Sequence, residues 1–178
     1  MLLSNDATWL GTVTLSRKFN RGQKSMRKLR VLIADDHEPV RSAIVQVLSN
    51  AFKIVGVAGD GEQLVDLALS LNPDVIVTDI FMPFLSGSEA LKQLTAHGCD
   101  IPFVLISVNP FGADELIRQG ASAFVDKCDI ATELAPAVHS AALGHSYVSR
   151  TACAKWRIAS DLDKYPPAAL WSRATGLS

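Results

Sequence analysis

The stretch "DVIVTDIFMPFLSG", residues 74–87, decides how the chain folds. Val75, Ile76 and Val77 form a short β-branched run, the pattern of a strand covered on both faces. Asp79 closes that run, with Ile80, Phe81, Met82 and Pro83 behind it. A carboxylate at the edge of a core needs a partner, because burying an unpaired charge is costly. The fold must supply one.

Runs of the same kind recur outward from this point. They are "VLIA" (31–34), "KIVGVA" (53–58), "PFVLIS" (102–107) and "SAFVD" (122–126). Helix-period stretches separate them. Val40, Ala43, Ile44, Val47 and Leu48 make one apolar stripe, and Leu64, Leu67, Ala68 and Leu71 make another. Ala90, Leu91 and Leu94 make a third, shorter one. Asn109 and Pro110 are the cap and first position of a fourth helix, which Gly120 should end. A fifth is predicted over Thr132 to Leu143, and Pro136 in its second turn should make its start irregular. Five strands alternating with five helices predict an α/β, doubly wound five-stranded parallel sheet.

In such a sheet, ligands bind at the carboxyl ends of the strands near a topological switch point. The residues at those ends are Asp35-Asp36, Asp79, Ser107 and Asp126-Lys127. Three carboxylates (35, 36 and 79) therefore converge beside one hydroxyl and one ammonium. At 4 Å, two carboxylates repel by about 4 kcal/mol at an effective dielectric of 20. A hard divalent cation with oxygen ligands relieves that repulsion, and Mg²⁺ is the natural candidate. Taken singly, each residue has a plainer reading: a helix cap, a loop hydroxyl, a solvated lysine. Their joint placement favours a site. His37 reads as exposed or locally bonded. "GVAGDG" (56–61) lacks the glycine spacing of a dinucleotide loop, and no G-x-S-x-G is present.

These motifs resemble the receiver domain of bacterial two-component response regulators. The likeness is carried by "DD" at 35–36, Asp79 with "FMPFLSG", Ser107, and "GASAFVDK" at 120–127. The "ADDHEPVR" opening and "GHSYVS" ending resemble the subfamily with LuxR-type DNA-binding output. The resemblance implies a flavodoxin-like fold over residues 29–149 and a set of roles. Asp79 would accept a phosphoryl group from a histidine kinase or phosphotransfer protein. Asp35, Asp36, Asp79 and the backbone carbonyl of Phe81 would hold Mg²⁺. Ser107 and Lys127 would bind the phosphoryl group, and Phe124 would be the switch aromatic. The chain would catalyse its own phosphotransfer and dephosphorylation without being an enzyme on another substrate. A haloacid-dehalogenase-like phosphatase would need a second acid two residues after the nucleophile, where Phe81 stands. Bulky Phe81 and Val108 are expected to slow water's access to an acyl phosphate.

Composition is consistent with a globular chain. It has 178 residues, 48% hydrophobic and 20% charged, and no apolar stretch reaches the roughly 18 residues of a membrane span. Three cysteines without a C-x-x-C suit a reducing cytoplasm. The net charge of −1 conceals an acidic middle between basic ends, +6 over residues 1–30 and +3 over 150–178. Residues 1–28 are expected to be a disordered basic extension. Residues 150–178 are expected to be a short tail with one helix near Thr151 to Leu162, too short for a helix-turn-helix. Output through an unidentified downstream protein is expected rather than DNA binding, and a homodimer is left open. The competing reading is the remnant of a truncated DNA-binding regulator.

Overall fold

Strand β1 (Arg30–Ala34) runs into the core, where Val31 to Ala34 are wholly buried. The computed structural model describes residues 27–109 and 113–159, and among them the predicted alternation is present. Helix α1 (Glu38–Ser49) leads to β2 (Lys53–Ala58), and α2 (Gly61–Leu71) leads to β3 (Val75–Asp79). Helix α3 (Gly87–Ala96), β4 (Phe103–Ser107), α4 (Ala113–Arg118) and β5 (Ala123–Asp126) follow. A 3-10 turn (Lys127–Asp129) opens into α5 (Ile130–Ala142), then come β6 (Tyr147–Val148) and α6 (Arg150–Ala159).

The sheet is parallel throughout, in the order β2-β1-β3-β4-β5-β6. Among the described residues the sheet has six strands in place of the expected five. The extra one lies in "GHSYVS": after Gly144, at φ +80°, the chain turns back and lays Tyr147 and Val148 against Ala123 and Phe124. Alternate residues of each strand serve opposite faces. Leu32, Ile76, Leu105 and Phe124 pack under α2 and α3 with Leu64, Ala68 and Leu94, joined by Ala152 and Trp156 of α6. Val31, Val77, Val104 and Val125 face α1 and α5, meeting Ile44, Leu48, Leu134 and Val138.

Local sequence explains the helix ends. Asp60 caps α2 by accepting the Gln63 N–H at 2.8 Å, and Ser86 with Glu89 forms a reciprocal cap on α3. The start expected for the fourth helix at Pro110 lies outside the described residues; its end, with Gly120 at φ +112°, is as expected. Pro136 does not break α5. It is exposed, so water can satisfy the carbonyl left without its bond, and the irregularity is the 3-10 turn before the helix. A sixth helix, α6, covers most of the expected tail helix.

Candidate functional site

The chain passes from β1 to β2 on one side and then places β3 on the other side of β1. The β1–β3 boundary is therefore the switch point, with Ala34 opposite Thr78 in register. One residue further on are Asp35 and Asp79. Gly87 makes the second of these possible. A Cβ there would collide with the backbone carbonyl of Asp79 and crowd Thr78, so only glycine lets α3 start so close to the acid.

Lys127 joins the two carboxylates. Its ammonium donates to Asp35 Oδ2 at 2.8 Å and to Asp79 Oδ2 at 2.7 Å, across 92 and 48 residues of sequence. The remaining oxygens are occupied locally: Asp35 Oδ1 accepts the His37 N–H at 2.9 Å, and Asp79 Oδ1 a long bond of 3.4 Å from Phe81 N–H. Arg41 donates to the backbone carbonyl of Asp35 at 2.6 Å. Asp35 is fully buried and Asp79 nearly so. Burial pushes the Asp79 carboxyl above the usual range and Asp35 adds to this, although Lys127 acts against both. For Lys127, burial disfavours the ammonium, but the two carboxylates outweigh it and raise its pKa. The cluster is short of positive charge, and Lys127 holds its proton within it.

Asp36 adjoins the cluster without touching Lys127. Its Oδ1 lies 2.9 Å from the His37 ring nitrogen. Asp35, Asp36 and His37 offer ligand atoms within 4.8 Å of one another. Asp79, expected among the ligands, is not in that group and His37 is; the hard carboxylate oxygens of Asp35 and Asp36 suit Mg²⁺. Ser107 is buried at the end of β4, one position beyond the register partner of Asp79, and its Oγ accepts the Asn109 N–H at 3.2 Å. Phe124 stands apart from the charges, fully buried against the ring of Trp156 at a centroid distance of 6.1 Å. Phe81 and Val108, expected to slow water's access, are 64% and 65% exposed.

Reading the sequence left out the second tier of the site. Lys155 of α6 binds Asp126 Oδ2 at 2.6 Å and the carbonyl of Val108 at 3.0 Å. The one available signal was Ala152, Lys155 and Trp156 at helical spacing on a single face.

A doubly wound parallel sheet with acids and a lysine at its switch point is a flavodoxin-like fold carrying a charged strand-end site. The response regulator receiver domain family matches residues 31–139. The response regulator GacA of Pseudomonas aeruginosa is 33% identical over 126 residues, covering 68% of this chain and 58% of its own length. The nitrate/nitrite response regulator protein NarL of Escherichia coli is 34% identical over 123 residues, 67% of this chain and 57% of its own. Among solved structures, the signal receiver domain of the response regulator NarL from Mycobacterium tuberculosis is similar at 31% identity and a TM-score of 0.64. It covers 67% of this chain and 99% of that one. RcsB of Salmonella typhimurium shares the fold at 22% identity and a TM-score of 0.69, covering 81% of this chain and 74% of that one. The chain belongs to the response regulator receiver domain family. It spans somewhat over half the length of the curated relatives named above. No helix among the described residues is long and apolar enough to cross a membrane.

Proposed function

We propose that this chain accepts a phosphoryl group on Asp79 from the phosphohistidine of a histidine kinase or phosphotransfer protein in the cytoplasm. It passes on the resulting state by contact with a downstream protein. The observation that carries this reading is the Lys127 ammonium held on two buried carboxylates from adjacent strands at the switch point.

A carboxylate oxygen of Asp79 attacks phosphorus; the new O–P bond forms as the N–P bond breaks, and its electron pair returns to the imidazole nitrogen. The barrier is chiefly electrostatic, so fixed positive charge and donors aimed at the transferring group supply most of the help. In this reading Lys127 shifts from the carboxylates to a phosphoryl oxygen, and the Ser107 hydroxyl donates to another. Asp35, Asp36, Asp79 and the carbonyl of Phe81 would hold Mg²⁺, which when bound neutralises charge on the phosphoryl oxygens. Phosphorylation adds about −1.5 to −2 charge and three acceptors, enough to draw Ser107 and Lys127 toward it.

Incubation of the full chain with acetyl phosphate and Mg²⁺, followed by intact mass, tests the reading. The wild type should gain one phosphoryl group and Asp79→Asn none. Equal gain in both, or none in the wild type, would overturn it.

A further inference from the structure

Helix α6 reaches the site through Lys155, whose two partners flank the two groups assigned to the phosphoryl. Val108 follows Ser107, and Asp126 precedes Lys127. Ser107 and Asp126 are also register partners across β4 and β5. One ammonium therefore fastens both strand ends from outside the pocket. Asp126 is fully buried, and its other oxygen accepts the Cys128 N–H at 2.9 Å, capping the 3-10 turn that carries Lys127. The Asp126 N–H donates to Ser149 Oγ at 3.0 Å.

The helix bearing Lys155 is itself anchored. Asp129 accepts the Thr151 N–H at 3.0 Å and its hydroxyl at 2.7 Å, placing negative charge at the start of α6. Glu133 accepts the Arg150 N–H at 3.1 Å and its side chain at 2.7 Å. Ala152 is fully buried, and Trp156 stacks on Phe124. Ala152 and Trp156 of α6 join Leu116 and Ile117 of α4 in covering this face of the sheet.

We propose that Lys155 is a positioning residue for phosphoryl transfer to Asp79, so that docking of α6 and phosphoryl occupancy favour one another. This rests on the phosphoacceptor reading above. Without Lys155, the buried Asp126 carboxylate would be left without its counter-ion at the strand end that carries Lys127, and its uncompensated charge would loosen that end and oppose an incoming phosphoryl group. With it, Asp126 is neutralised and the Ser107 and Lys127 ends keep their spacing. Reciprocity follows: whatever docked α6 contributes to phosphoryl binding, a bound phosphoryl returns to α6.

Two measurements on the full chain test this. First, the rate of phosphoryl gain from acetyl phosphate should fall at least about fivefold in Lys155→Met and recover in Lys155→Arg. An unchanged rate in a folded Lys155→Met would overturn the proposal. Second, amide exchange over residues 150–156 should slow in phosphorylated wild type relative to Asp79→Asn treated alike. This comparison does not depend on the Lys155 variants folding. Phosphorylation confirmed by mass with no change in α6 exchange would sink the coupling while leaving the phosphoacceptor reading intact. A wild type that gains no phosphoryl group would remove both.

Discussion

Two acidic regions of this molecule handle charge in opposite ways. At the β1–β3 boundary, Asp35 and Asp79 share one ammonium, and Asp36 beside them meets, among the described residues, the His37 ring. Around α6, each acid has its own donors: Asp126 has Lys155, Glu133 has Arg150 and the Tyr147 hydroxyl, and Asp129 has Thr151. Tyr147 shows how firmly that second region is set, since burial and the neighbouring Glu133 push its phenol up to about 12. Matched charges fix a structure. Charges left in excess keep a site ready for a cation or a phosphoryl group.

Removing the shared ammonium should break this contrast most severely. Lys127→Met takes from Asp79 the one side-chain cation it meets among the described residues, and phosphoryl gain by intact mass should slow about 10²- to 10³-fold, the usual cost of deleting one transition-state donor. A rate near that of the wild type would mean that the shared ammonium is structural. Glu133→Ala tests the other region. It strips partners from the Tyr147 hydroxyl and the Arg150 amide, and chemical unfolding should show a loss of about 1–3 kcal/mol. No loss would mean that β6 and α6 are held by packing alone.

The smallest expected effect has the opposite sign. Because burial raises the Asp79 carboxyl, its charged form opposes folding. The stability tied to its protonation is complete below the ordinary carboxylate pKa and is lost as pH rises through the raised value. Asp79→Asn should therefore melt slightly above wild type at pH 7, and the gain should vanish in acid, where Asp79 is itself neutral. A gain that persists at low pH would assign the effect to packing. Such a result would fit the common exchange of stability for function.

The sheet and its charged edge were legible in the sequence for one reason. Each strand is a continuous apolar run, and the functional residues stand immediately where those runs stop, so periodicity located both. The same rule failed for β6, since Tyr147–Val148 is too short to show a period. It failed more completely for the role of α6. Asp129 and Glu133 look like ordinary acids at the start of a helix, and only the fold brings them to Thr151 and Arg150, 22 and 17 residues away. Asp126 was visible at a strand end, but its counter-ion lies 29 residues downstream on another element. Partners met through tertiary contact leave no local pattern.

The brevity of β6 has a consequence for how copies of this chain behave beside each other. A sheet margin with a long row of unused amide and carbonyl groups invites a neighbouring molecule to extend it. Here that margin is a strand of two residues, immediately followed by the turn into a helix. So short a row offers little template for intermolecular strand addition, which protects the protein from aggregating along that side.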